Sequence, residues 1–114
     1  MTEIVYKLFR KLEWREALRD GLFAGSPDDR RDGFIHLSSA GQVRGTFERY
    51  FATEPAPVLV GFDIASLGPR LKWEPSRGGE LFPHFYGTLD PARAVSVHEI
   101  SRGEMGNASL PEGF

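Results

Sequence analysis

Apolar positions along the first half of the chain switch between a period of two and a period near four, and each switch marks an element. Residues 4–8, IVYKL, are rich in β-branched and aromatic side chains and predict a first strand. Residues 11–20 predict a helix, with Trp14 and Leu18 four apart and Ala17 between them on one face. Glu13 and Glu16 lie early in it, Arg19 lies late, and Gly21 supplies a left-handed stop. Leu22 and Phe23 lead into AGSPDDRRD, whose turn formers and charges predict a solvated loop. GFIHLSS, residues 33–39, alternates again and predicts one short strand. It puts Phe34, His36 and Ser38 on one face, with Ile35 and Leu37 on the other. Ser39 and Gln42 then form a capping-box pattern that opens a helix to about Phe51. Val43, Phe47, Tyr50 and Phe51 give that helix a buried stripe.

The second half reads mostly as strands. PVLVGFDI, residues 57–64, is the most apolar segment and predicts a central strand. Residues 65–69 read as a turn, 70–74 as a strand with Leu71 and Trp73 facing one way, and 94–100 as a last strand. Residues 101–114 read as a loosely held tail. The order β-α-β-α-β-β-β-β predicts one α+β domain over residues 1–100, with two main helices. They would lie on a bent, mixed or mostly antiparallel sheet of five to seven strands.

Composition narrows the function. At 114 residues the chain supports one core and no second domain. It has 14 Lys and Arg against 16 Asp and Glu, a net charge of −2, which argues against generic nucleic-acid binding. The absence of cysteine removes disulfides, thiolate metal sites and cysteine nucleophiles. The first residues, MTEIVYKLFRKLEW, contain no apolar signal region, and no run is long and apolar enough for a membrane span. The expectation is a cytoplasmic protein that has a small-molecule ligand and no membrane partner. Phosphate loops, dinucleotide fingerprints, nucleophile elbows and H-x-x-x-H pairs are all missing.

The densest chemistry lies in WEPSRGGELFPHFYG, residues 73–87. Pro75, Gly78 and Gly79 enforce a turn, and Pro83 argues against a helical i, i+4 metal pair of Glu80 and His84. Read as a strand, the run places Glu80, Phe82, His84 and Tyr86 on one face, and its proline marks an edge or a bulge. A carboxylate, an imidazole and a phenol beside flexible glycines and Arg77 make a pocket wall. The plainer alternative keeps Glu80 as a solvated turn residue and Phe82 and Tyr86 as core aromatics. His36 is the second candidate, because its strand runs straight into a helix start, where backbone amides suit anions. A lone strand histidine is more often a hydrogen-bonded core residue than a catalyst, and His98 is read as structural. Arg10–Lys11 and Arg30–Arg31 are interleaved with acids and read as solvated surface. Asp28, Asp29 and Asp32 crowd one loop without a calcium-loop pattern.

The stretches GFIHLSS, PVLVGFDI, LGPRLKWEPS and GGELFPHFYG resemble the bacterial domain-of-unknown-function family 952, over roughly residues 4–97. That family is grouped by fold with the ADP-ribosyltransferases. The resemblance implies a split, bent sheet holding an NAD-like nucleotide, with a first-strand polar residue on a ribose, aromatics around the nicotinamide and a late glutamate. Glu80 matches the late glutamate and Tyr86 a stacking aromatic. Family members usually read I-Y-H-[IL]-T on the first strand, whereas this chain reads VYKLF, so Lys7 stands for the histidine and can meet phosphate as a point charge. Glu80, His84 and His36 are then the candidate catalytic residues, and Lys7, Ser38, Arg77 and Tyr86 the ligand-binding ones. The expected function is nucleotide binding of the NAD or ADP-ribose type with N-glycosidic cleavage or transfer. A non-catalytic binding module, or a metal-assisted hydrolase using His36, His84 and Glu80, is the alternative.

Overall fold

The computed structural model describes residues 3–102, 108–110 and 114. In chain order the elements are β1 (Ile4–Phe9), α1 (Lys11–Asp20), α2 (Pro27–Asp32), β2 (Ile35–His36), β3 (Ser38–Ser39) and α3 (Val43–Tyr50). They continue with β4 (Val58–Asp63), the one-turn α4 (Ile64–Leu67), β5 (Leu71–Pro75), β6 (Leu81–Phe85), β7 (Ala94–Glu99), β8 (Ser101–Arg102) and β9 (Ala108–Ser109). The larger sheet has the order β3-β1-β4-β7, a smaller one the order β2-β6-β5, and β8 with β9 forms a separate pair. Every pairing is antiparallel.

Two apolar clusters cover the larger sheet, and strand alternation assigns residues to them. Val5 and Phe9 of β1 and Val58, Val60 and Phe62 of β4 join Trp14, Ala17, Ile35, Leu37, Phe85 and Leu89 in the larger cluster. Leu8 and Leu59 join Val43, Phe47, Phe51 and Ile100 in the smaller one. Lys7 alternates with Val5 and Phe9, so its stem runs into the space between the two sheets. Its burial there demands a partner for the charge.

Several expectations need correction. AGSPDDRRD is no solvated loop, because Pro27–Asp32 forms α2. Ser26 caps it by accepting Asp29 N–H, the Asp29 carboxylate accepts Ser26 N–H in return, and Gly33 closes it at φ 86°. Residues 33–39 are not one strand: Ile35–His36 pairs with β6 while Ser38–Ser39 pairs with β1. The expected single sheet is therefore two, and three helices longer than one turn replace two. Pro83 marks no edge, since β6 is the middle strand of its sheet. It is tolerated because β2 pairs only with His84 and Phe85, and the chain beyond β2 meets Pro83 through Leu37 N–H, which donates to its carbonyl. Leu18 and Tyr50 are exposed, not buried. The loosely held tail falls largely outside the described residues; Phe114, however, has its carbonyl oxygen held by Arg44 and its ring edge-on to Tyr6 at 4.7 Å.

Candidate functional site

β3 covers β1 only at Val5 and Tyr6. Beside the rest of that edge lies a cavity of about 280 Å³. Its floor is β1 from Tyr6 to Leu8, one wall is α2 with His36, and the other is Phe82 and His84 of β6. Thr46, Tyr50 and Phe51 on and after α3 close the top, and Ser76 and Arg77 stand at the mouth.

The floor is a fully engaged ion network. Lys7 Nζ donates to Asp29 Oδ1 and Oδ2 at 3.2 and 3.0 Å and to the His36 carbonyl at 3.0 Å. Asp29 also accepts the backbone N–H groups of Ser26 and His36, at 2.9 and 3.1 Å, and His36 Nδ1 at 2.6 Å. Burial alone would push the Asp29 carboxyl up. The His36 hydrogen bond, the Lys7 charge and the two backbone donors outweigh it and hold the group well below the usual carboxylate range. His36 Nε2 meets Asp32 Oδ2 at 2.9 Å. Each His36 nitrogen thus faces a carboxylate, and only the doubly protonated ring donates to both.

His84 is arranged differently. Its Nδ1 lies 2.9 Å from Glu74 Oε1, which also accepts the Tyr86 hydroxyl at 2.6 Å. The Tyr86 hydrogen bond, followed by that of His84, holds the Glu74 carboxyl below its usual range, while Glu74 raises the Tyr86 phenol. Phe34 stacks on the His84 ring at 3.9 Å and 14°, and fixes it from one face. His36 sits edge-on to it at 5.8 Å. His84 is only 3% exposed, and its Nε2 is the one buried side-chain polar atom among the described residues with no hydrogen-bond partner. That atom is itself closed off from solvent, although the His84 side chain borders the cavity.

The sequence candidates separate into groups. His36, His84, Lys7, Ser38 and Arg77 all line the cavity. Ser38 Oγ is paired with Thr46 Oγ1 at 3.0 Å. Arg77 lies 4.9 Å from the Phe82 ring centroid and makes no ion pair among the described residues. Glu80 is outside the lining; its carboxylate accepts Gln42 Nε2 at 3.0 Å. Tyr86 is also outside it, packed beside Phe34 and bonded to Glu74. No group of three or more His, Asp or Glu converges as a metal-binding set among the described residues. Asp29, Asp32, Glu74 and Phe34 were not among the candidates read from the sequence. The S-x-x-D capping pattern at Ser26 was the available signal for Asp29. For Glu74 it was the alternation of Lys72 and Glu74 along a strand.

No helix among the described residues is long and apolar enough to cross a membrane. No protein of curated function matches the chain. The chain is similar to the crystal structure of protein CC0527 from Caulobacter crescentus, at 36% identity over 94% of each chain and a TM-score of 0.87. Against the solution structure of the same protein the identity is 37%, over 90% of this chain and 89% of that one, with a TM-score of 0.80. A family model matches residues 8–97, and the chain belongs to that family, DUF952, described as proteins of unknown function.

Proposed function

We propose that the cavity between the sheets binds a small ligand carrying a sugar-type hydroxyl and a phosphate, a ligand of the nucleotide class. The observation that carries this reading is His84 Nε2, a buried ring nitrogen without a hydrogen-bond partner. Leaving such an atom unpaired costs on the order of 1–3 kcal/mol, so a ligand polar group that opens a path to it and hydrogen-bonds there is favoured. Arg77 at the mouth supplies an uncommitted cation for the phosphate. Lys7 does not, because its ammonium is given to Asp29 and His36 and serves to hold the floor. The volume suits a mononucleotide-sized group, so the remainder of a dinucleotide would project past the rim.

The resemblance to ADP-ribosyltransferases supports a nucleotide over other phosphorylated sugars, as an analogy of fold. The glycosidic cleavage it implies needs a carboxylate beside the sugar, and Glu80 is engaged by Gln42 instead. Binding without that cleavage is therefore the reading the geometry favours. Isothermal titration with ribose 5-phosphate, AMP, ADP-ribose and inorganic phosphate tests it. The phosphorylated sugars should bind, inorganic phosphate much more weakly, and His84→Phe should weaken binding by about tenfold or more. No heat from any of them at about 1 mM would overturn it. Release of nicotinamide from NAD that is lost in Glu80→Gln would instead establish the glycosidic reaction.

A further inference from the structure

Gly78 and Gly79, at φ 68° and 78°, reverse the chain between β5 and β6, and Arg77 just before them reaches across to α3. Its guanidinium carbon lies 4.9 Å from the centroid of the Phe82 ring on β6. Its Nη2 lies 3.2 Å from the point that a Cβ at Gly45 would occupy. Phe82 and Thr46, the neighbour of Gly45, line the same cavity as Arg77, so this side chain spans the mouth from β6 to α3. Gly45 is an uneconomical residue for its place. It lies inside α3, where glycine is less favourable than alanine, and its φ is not positive, so no backbone geometry asks for it. The space above it does, because any side chain there meets the guanidinium. Arg77 is half-buried and makes no ion pair among the described residues. A cation partly withdrawn from water, with an aromatic ring beside it and no carboxylate, lacks the oxyanion its planar fork is shaped to hold.

We infer that Gly45 is a positioning residue for anion recognition: the gap it leaves on α3 seats the Arg77 guanidinium, and the seated guanidinium is the bar across the cavity mouth that holds the ligand's phosphate. This rests on the nucleotide-class ligand above and adds how its phosphate is held. Phe82 restrains the guanidinium from β6, and the bare backbone of α3 sets how far it reaches. No carboxylate among the described residues takes its N–H groups, which leaves them for two phosphate oxygens at once. A side chain at position 45 moves the fork before any ligand arrives. Alanine displaces Nη2 by a few tenths of an ångström, whereas leucine fills the seat. Both residues favour a helix over glycine, so α3 gains stability where the site loses affinity.

The test titrates the whole chain with ribose 5-phosphate by calorimetry at low and high salt, with thermal unfolding of each variant alongside. Arg77→Gln should weaken binding by about tenfold, the loss of one charge-assisted contact. Gly45→Leu should weaken it as much and Gly45→Ala less, while neither glycine variant melts below wild type. Adding Gly45→Leu to Arg77→Gln should bring no further loss, because the glycine acts only through the guanidinium. Affinity should fall with salt more gently in Arg77→Gln and Gly45→Leu than in wild type. Wild-type affinity in Gly45→Leu overturns the inference and leaves the ligand reading standing. A loss in Gly45→Leu that adds in full to that of Arg77→Gln also overturns it, since the leucine then obstructs the mouth directly. Absence of ribose 5-phosphate binding to wild type removes the inference and the ligand reading together.

Discussion

Asp29 concentrates the site's energetics in one side chain. It is 2% exposed and gathers Lys7, Ser26 and His36, which belong to three separate stretches of chain. Removing one partner of a buried pair strands the other charge, so Asp29→Asn should destabilise the fold by about 3–5 kcal/mol in urea unfolding at neutral pH. Acid should act through the same carboxyl. Its value in the fold lies below its ordinary 3.8, so its contribution is complete above that value and is lost as pH falls from about 4 downward. Melts between pH 5 and 2 should show wild type losing stability steeply, and Asp29→Asn losing much less. The sequence pattern singled out His36 and His84, and the family resemblance singled out Lys7. The pattern hid Asp29 among three neighbouring acids, because only the three-dimensional path shows which of them turns inward.

α2 is six residues long and owes its existence to its ends. Ser26 and Asp29 satisfy each other's backbone donors, Pro27 presets the first turn, and Gly33 adopts the left-handed stop. These signals were legible, yet the density of charge in PDDRRD suggested a loop. Ser26→Ala should cost about 1 kcal/mol from the lost cap, with a matching drop in melting temperature. It should also weaken ribose 5-phosphate binding, since Asp29 and Asp32 both ride on this helix. β4 carries the opposite kind of constraint. A Cβ at Gly61 would lie 2.5 Å from Ser96 Oγ, 3.0 Å from Ile4 Cγ2 and 3.1 Å from Tyr6 Cε2. Gly61→Ala should therefore destabilise by about 1–3 kcal/mol through overpacking, measurable by chemical unfolding. Amphipathic periodicity found α1, α3 and β4 because their burial is one-sided or complete. It misplaced Leu18 and Tyr50 because the core does not extend to those flanks.

The whole molecule is held by two antiparallel sheets, and the cavity exists because they are two. Period-two alternation over residues 33–39 placed Phe34, His36 and Ser38 on a common side; His36 and Ser38 line the cavity, but so does Leu37 from the opposite set, and Phe34 packs beside His36 instead. The pattern carries no record of bonding partners, so the change from β6 to β1 within five residues was not legible. A bound ligand at about 100 times its dissociation constant should add about 2.7 kcal/mol to the stability of the folded state. Scanning fluorimetry should register this as a rise of several degrees, absent in His84→Phe.

Leu37, the residue between β2 and β3, gives this architecture a gauge of its own opening. Its buried N–H donates to the Pro83 carbonyl at 3.0 Å, while the next two residues pair with β1. Parting the sheets must break that bond, whereas the amides of β4, flanked by strands on both sides, remain closed until the larger sheet itself comes apart. Amide hydrogen exchange at Leu37 therefore counts the fraction of molecules with the cleft open, separately from the fraction unfolded. Exchange at Leu37 should be faster than at Val60, and a ligand that bridges the walls should slow Leu37 more than Val60.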